Sequence, residues 1–473
     1  MCSSDLDMRP HVYRVTDYGQ RWESLVSDSL DGYALSILQD PVDPDLLFLG
    51  TEFGLYFSSN GGEDWTRFKA GVPTVSVMDM AIQARENDLV LGTHGRSIFV
   101  IDDYSALRDL EPEMFSEPLS ILSVSAGQHY ARLPTQSTRF TGSGEYRGEN
   151  EAYGVMVTFL AGGENLPHPD AERERERKKQ ERMSAASPAE GEDEEKDENE
   201  DGARKSEEKP PKISVEIIDA NGTTIRSYKQ PVHQGINRLT WNMRRDGVRP
   251  APGPNARADE DGLPPGPEVP PGEYTIRLSI DDRSDSRAIS TLADPRSTAT
   301  AADLRARYEA QLELQALEAT MVTALERLDQ TRKDLNTLSA LLAARDRVGE
   351  TSEEEEHDAD DDTLHSLKKA AGKAAKDLDA LELRFRNLPN TKGIVYSADK
   401  IGAKLGMAGY YVGSHAGPPS AAAEFHINQA MEALEDGVNE VNRFLQEDVA
   451  SLREAAIDAG IGLLMPDEPL SLP

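Results

Sequence analysis

The chain has 473 residues, enough for two to four domains at roughly 100–200 residues each. Its 85 Asp and Glu against 51 Lys and Arg give a formal net charge of −34, which argues against binding nucleic acid through a broad phosphate-facing surface. Hydrophobic residues make up 38 %, so part of the chain is expected to be unfolded; no stretch approaches the ~18 apolar residues of a membrane span, and the single cysteine, Cys2, excludes an intramolecular disulfide framework and a cysteine-based zinc site.

Met1–Leu6, MCSSDL, has neither the basic n-region nor the apolar h-region of a signal peptide. Codons for it fit the end of a common sequencing adapter. Residues 1–6 are read as an artefact, with Cys2 non-native and any signal peptide lost upstream; the plain alternative is an ordinary polar N-terminus.

Residues 7–104 repeat with a period near 43. Val12–Trp22 lies over Leu55–Trp65 at an offset of 43, matching Tyr13 with Tyr56, Asp17 with Asn60, Gly19 with Gly62 and Trp22 with Trp65. Gly50–Asn60 lies over Gly92–Asp102 at an offset of 42, matching Gly50 with Gly92, Thr51 with Thr93, Phe57 with Phe99 and Asn60 with Asp102. The short runs Ala34–Leu38, Leu46–Gly50, Leu55–Ser58 and Thr66–Lys69 read as strands, with Asp40-Pro41 and Asp43-Pro44 marking the first turn and Ser59-Asn60-Gly61-Gly62 the third. A period of ~40–50 residues with several short strands is the signature of β-propeller blades, and rings take roughly four to eight of them. About two and a half are present, a remnant expected to be unstable alone.

Ser58-x-Asn60-x-Gly62-x-x-Trp65 resembles the Asp-box, or BNR repeat, of sialidase-like and sortilin-like propellers. Val15-x-Asp17-x-Gly19-x-x-Trp22 is similar, with Val where Ser or Thr is usual; Asp102-Asp103 closes a third unit that lacks the Trp. The wider run resembles bacterial BNR-repeat proteins labelled glycosyl hydrolase. The resemblance implies structural roles: Asp17 and Asn60 bond the backbone of their own turns, and Trp22 and Trp65 pack between blades. It also puts the functional face on the opposite turns, Gly50–Gly54 and Gly92–Ser97. These offer Glu52, His94 and Arg96, with Tyr33 in the loop entering the first strand. Glu52 or His94 is the acid/base candidate and Arg96 the carboxylate binder; the plain alternative is solvated turn residues. Hydrolysis of a glycoside needs a carboxylate pair, and Glu52 has no evident partner in sequence.

Residues 105–291 read as a β-sandwich interrupted by an acidic insert over 164–212, expected to be disordered because so charged a tract cannot offset its ordering entropy. The insert is either a solvated tract or a binder of cations or a basic partner. Asp219-Ala-Asn-Gly222 is read as a type I′-compatible hairpin turn after Ile213–Ile218. The order VEIID–NG, GINRLTW, PPGEYTIRL resembles the immunoglobulin-like sandwich of flagellar-hook-cap and secretion-tail proteins, with Trp241 in its core.

Residues 292–473 read as helices. Thr300–Asp303 resembles a capping box. Met321, Leu328, Leu335 and Leu342 recur at seven-residue spacing. A second stripe runs Leu367, Ala371, Ala374, Leu378, Leu381, Phe385 and Leu388, and a third helix covers about Ala421–Ala459. An acidic loop, 350–362, separates the first two, and the Gly-rich Lys392–Pro419 is read as a crossing loop. The stripes fit an antiparallel bundle, or else an intermolecular coiled coil. His357, His365 and His426 make no metal-ligand spacing.

The expected fold class is thus multidomain β plus α: partial propeller blades, an immunoglobulin-like sandwich and a C-terminal helical bundle. Three functions are open: an interaction protein binding a protein or glycan on the propeller rim, a sialidase-like glycoside hydrolase whose catalytic residues lie mostly upstream, and a purely structural part. No cofactor or metal is implied, and no nucleic-acid partner or membrane span. The expected location is secreted or periplasmic, with the oligomeric state undetermined.

Overall fold

A computed structural model describes residues 9–111, 114, 118–131, 148, 150–163, 165–185, 210–253, 261–349, 360–388, 392–393, 395, 397–461 and 470–472. The adapter reading of 1–6 lies outside them. The chain divides into two compact units: Met1–Thr223 with Lys229–Asn242 and Glu273–Leu292, and Thr224–Tyr228 with Met243–Gly272 and Ala293–Pro473.

The first unit opens with a ribbon of β1 (Tyr13–Arg14) and β2 (Glu23–Ser24). A four-stranded antiparallel sheet follows, β3 (Ala34–Gln39), β4 (Leu47–Thr51), β5 (Gly54–Ser58) and β6 (Thr66–Phe68), in the spatial order of the sequence. Then come β7 (Val77–Gln83), β8 (Asp88–Thr93) and β9 (Ile98–Ile101) in a three-stranded sheet of the same kind.

These layers stack in one direction. The β3–β6 sheet is covered on both faces. Val12, Leu25 and Leu30 pack with Leu47, Leu49, Tyr56 and Trp65 on one side. Leu46, Phe48 and Leu55 pack with Val77, Leu89 and Leu91 on the other. Every residue of β4 is therefore buried, although a half-buried strand alternates.

The register corrects one detail of the repeat. Leu49 pairs with Tyr56, and Leu91 pairs with Phe99, so Tyr56 rather than Phe57 is the counterpart of Phe99. The β8–β9 turn holds one residue more than β4–β5: Gly50 pairs with Leu55, and Gly92 with Ile98. The offset thus grows to 43 beyond that turn, and Asn60 corresponds to Asp103 rather than Asp102.

The rest of the first unit comprises β10 (Leu119–Val124), β11 (Gly127–Gln128), β12 (Val155–Ala161), α1 (Ala171–Ala185), β13 (Lys212–Ile218), β14 (Thr224–Pro231, in this unit from Lys229) and β15 (Gly235–Trp241). Later in the chain follow β16 (Arg244–Asp246) and β17 (Pro265–Glu268) of the second unit, then β18 (Gly272–Ile280) and β19 (Arg283–Leu292). The strands form a three-stranded sheet, β10-β12-β15, and a five-stranded sheet, β11-β19-β18-β13-β14. Asp285 links the two sheets by accepting the Ile121 N–H at 2.7 Å. Trp241 is buried and meets Tyr274 edge to face at 5.4 Å.

Two expectations here change. The turn after β13 is not type I′, because Gly222 alone has positive φ (80°); the Asp219 carboxylate accepts the N–H groups of Asn221 and Thr223 instead. The disorder read over 164–212 does not extend to Ala171–Ala185, which is helical. Asp170 caps it by accepting the Glu172 N–H, and Glu174 takes the guanidinium of Arg177 one turn on, at 2.8 Å. Alternating charge supports a helix where a run of one sign opposes it. The EGEDEEKDENE run lies outside the described residues.

In the second unit, α2 (Ala301–Gly349), α3 (Asp360–Phe385), α4 (Ile401–Gly413), α5 (Ala421–Arg443) and α6 (Ala450–Asp458) share one apolar core with Leu328, Leu335, Leu378, Phe385, Ala408, Leu434 and Val441 inside. The α2 start is a reciprocal capping box: Asp303 accepts the Thr300 N–H at 2.8 Å, and the Thr300 hydroxyl accepts the Asp303 N–H at 3.2 Å. The acidic loop read over 350–362 lies outside the described residues through 359; Asp360–Asp362 open α3. One expectation is corrected. The supposed crossing loop contains α4, in which Gly402 lies so close to the Phe385 carbonyl that a Cβ would stand 3.1 Å from it. The third helix spans the expected stretch: α5, a π-helical segment over Phe444–Val449 and α6 follow one another without a break.

Candidate functional site

Both box turns share one backbone shape. Tyr18 and Gly19 have φ of 59° and 94°, and Gly61 and Gly62 have 70° and 92°. The Asp17 carboxylate accepts the N–H groups of Gln20 and Arg21 at 2.9 and 2.8 Å. The Asn60 side-chain carbonyl accepts the Asp64 N–H at 3.0 Å and the Ser58 hydroxyl at 2.8 Å, while Ser58 Oγ accepts the Gly62 N–H at 2.9 Å. Val15 lacks that last bond. The tryptophans differ. Trp65 is 4 % exposed, and its Nε1–H donates to the Leu25 carbonyl at 2.7 Å. Trp22 is 66 % exposed and touches Tyr13 edge to face, so it does not pack between layers as expected.

The opposite edge carries the four sequence candidates. Tyr33 precedes β3, Glu52 sits in the β4–β5 turn, and His94 and Arg96 sit in the β8–β9 turn. Backbone bonds stitch these loops together. The Glu52 N–H donates to the Tyr33 carbonyl at 3.2 Å, the Ser76 hydroxyl to the Glu52 carbonyl at 2.9 Å, and the His94 N–H to the Ser76 carbonyl at 3.0 Å. Thr51 and Thr93, matched by the repeat, each close their own turn: their hydroxyls donate to the carbonyls of Gly54 at 3.3 Å and Ser97 at 2.7 Å. Tyr33 and Glu52 are half-buried; His94 and Arg96 are exposed. Among the described residues, no hydrogen bond or ion pair joins these four side chains. The edge is therefore a hydrogen-bonded backbone carrying separate polar groups. Glu52 is the one carboxylate in its two turns.

No family model matches the chain, and no curated protein matches it.

Sequence reasoning missed a buried cluster between the layers. Asp40 is buried; it accepts the Tyr104 hydroxyl at 2.6 Å and Arg108 at 2.8 and 3.1 Å, plus the N–H groups of Val42 and Asp43. Arg108 Nη2 also donates to the Asn87 side-chain carbonyl at 2.9 Å. Burial works to raise the Asp40 carboxyl, but the bonds from Arg108, Tyr104 and the backbone outweigh it and hold it at about 2. Burial and Asp40 push the Tyr104 phenol far up. Every oxygen of Asp40 is satisfied, so the cluster is a clamp. Its one sequence signal was Asp40-Pro41, read as a turn; its partners lie 64 and 68 residues on.

At the box end, burial and the acidic neighbours Asp102, Asp88, Glu86 and Asp103 raise the Glu151 carboxyl, and burial and Asp88 raise that of Asp102. Arg238 ties this region by donating to the carbonyls of Asp102 and Asp103 at 2.6 and 2.7 Å. Among the described residues, no group of three or more His, Cys, Asp or Glu is arranged to hold a metal.

Proposed function

We propose that residues 7–104 are part of a β-propeller of the Asp-box kind, and that this extracytoplasmic protein binds a protein or glycan ligand along the Tyr33–Glu52–His94–Arg96 edge. On this reading the two sheets of 105–291 form an immunoglobulin-like sandwich which, with the helices, serves as a docking module. The observation that carries the propeller reading is the repeated box turn with one backbone shape, set in sheets that stack in one direction. Binding is favoured over hydrolysis by the edge itself: an imidazole, a guanidinium and a carboxylate stand apart on stitched loops, without the carboxylate pair that glycoside hydrolysis uses.

The test is a glycan and extracellular-protein binding panel run with the full chain and with the combined Glu52→Ala, His94→Ala, Arg96→Ala variant. Binding lost in the variant, with unchanged circular dichroism, is expected. Binding that survives the triple change overturns the rim assignment. Turnover of chromogenic glycosides that Glu52→Gln abolishes replaces the binder with the hydrolase.

A further inference from the structure

Asn221-Gly222-Thr223 is the one Asn-x-Ser/Thr triplet in the chain with x other than Pro, the acceptor signature of N-linked glycosylation. It lies in the turn between β13 and β14, and the turn explains only part of its own sequence. Asp219 closes it. The Asp219 Oδ1 accepts the N–H groups of Asn221 and Thr223 at 2.9 Å each. Its N–H donates to the Thr223 carbonyl at 2.9 Å, and its carbonyl accepts the Gly222 N–H at 3.0 Å. Gly222 supplies the positive φ, 80°, which Asn221 does not share. These bonds use only the main chain of Asn221 and Thr223, so the turn leaves both side chains unused.

Other asparagines of the same unit are spent on structure. The Asn60 side-chain carbonyl accepts the Ser58 hydroxyl and the Asp64 N–H. The buried Asn237 accepts the His233 N–H and donates to the carbonyls of His233 and Gly235. Among the described residues, no hydrogen bond involves the side chain of Asn221 or Thr223. Ala220, Asn221, Gly222 and Thr223 are all exposed, and a Cβ on Gly222 would meet no atom within 4 Å. An amide and a hydroxyl thus stand at an open hairpin tip whose shape is fixed from within by Asp219.

We propose that Asn221 is an N-glycosylation site whose donor is an oligosaccharide on a lipid diphosphate. The Asn221 Nδ2 attacks C1 of the first sugar. The Nδ2–C1 bond forms as the bond from C1 to the diphosphate oxygen breaks; the lipid diphosphate leaves with that electron pair, and one Nδ2 proton passes to a carboxylate of the transferase. Nothing is oxidised or reduced. The Thr223 hydroxyl is the group read two residues after the asparagine. Asp219 stands two residues before it, where periplasmic oligosaccharyltransferases require an acid, and both of its turn bonds use Oδ1, which leaves Oδ2 to face the enzyme. The site rests on the extracytoplasmic location proposed above and not on the Tyr33–Arg96 edge as a binding surface.

The test incubates the folded full chain with a purified periplasmic oligosaccharyltransferase and a lipid-diphosphate-linked oligosaccharide, and reads intact mass and glycopeptides. The chain is expected to gain a single glycan, on Asn221. Asn221→Gln and Thr223→Val are expected to lose it and Thr223→Ser to keep it, with unchanged circular dichroism in all three. A folded chain left bare while a free peptide of residues 217–225 is glycosylated in the same tube overturns the proposal. So does glycan added to Asn221→Gln. Location is read separately, by fractionating cells that make both the protein and the transferase. Glycosylated chain outside the cytoplasm is expected, and bare chain there overturns the proposal. Bare chain confined to the cytoplasm, yet accepted in the tube, overturns the location and leaves the acceptor site standing.

Discussion

The indole N–H of Trp65 reaches across from one layer to donate to the Leu25 carbonyl of the layer before, at 2.7 Å. A single side chain so joins two repeat units through both an apolar ring and a polar bond. Trp22, its counterpart one repeat earlier, makes both contacts inside its own unit: its Nε1–H donates to the Gly19 carbonyl at 3.2 Å and its ring meets Tyr13. Trp65→Phe is expected to cost about 2 kcal/mol, from the lost bond and the lost ring volume. Trp22→Phe is expected to fall within about 0.5 kcal/mol of wild type. Urea unfolding measures both. Acrylamide quenching gives an independent reading: of the three tryptophans, Trp22 accounts for the accessible emission, and Trp22→Phe removes it.

Asp40 supplies a pH dependence with a defined sign. Its carboxyl titrates at about 2 in the folded chain, below the ordinary 3.8. The stability it provides is whole above about pH 4 and is lost as pH falls toward 2; a gap of that size is worth about 2 kcal/mol. Asp40→Asn leaves Arg108 without its anion and is expected to cost about 3 kcal/mol at neutral pH. The gap between wild type and variant in denaturant midpoint is expected to narrow across that acid window. A constant gap would show that Asp40 acts by shape alone.

Gly50 and Gly92 form a matched pair of sites with opposite surroundings. At Gly50 a methyl group meets Ser36 Oγ at 2.5 Å and the Val77 carbonyl at 2.6 Å, so backbone must move; Gly50→Ala is expected to cost about 1–3 kcal/mol. At Gly92 the nearest atom is 3.6 Å away, and Gly92→Ala is expected to be neutral or slightly stabilising in dilute protein. Chemical denaturation of the two variants side by side decides it.

In the helical unit, the buried Glu382 accepts Arg332 at 2.7 Å and Arg386 at 3.0 Å. Glu382→Gln keeps the shape and removes the charge that both guanidinium groups face. It is expected to cost about 2–3 kcal/mol, read from the thermal loss of helical circular dichroism.

Much of the first unit was legible because a repeat carries its own control. Tyr13, Asp17, Gly19 and Trp22 could be checked against Tyr56, Asn60, Gly62 and Trp65 before any strand was drawn. The register slip at Phe57 escaped because one added turn residue between Gly92 and Ile98 shifts the alignment without disturbing either apolar run. The exposure of Trp22 escaped because a sequence shows which side chains are built to be covered, not which ones are. Asp40 was read as a turn residue, which it is; its second role depends on Tyr104 and Arg108, far along the chain and in no periodic pattern. Helix α4 was hidden by composition, since Gly and Ala serve loops and close helix packing alike. Of the candidate edge, the sequence placed all four residues in turns at one end of the strands, while the stitching by Ser76 came from a residue with no motif.

Strand β4 has neighbours on both edges and on both faces along its whole length, Leu47 to Thr51. No position in it is free to vary alone. A change in Phe48 presses on one layer and a change in Leu49 on the other, so accepted substitutions there are expected to arrive in compensating pairs. Drift is left to the turns, where Glu52 and Phe53 sit. The least changeable five residues of the unit thus hold up the segment most open to new chemistry.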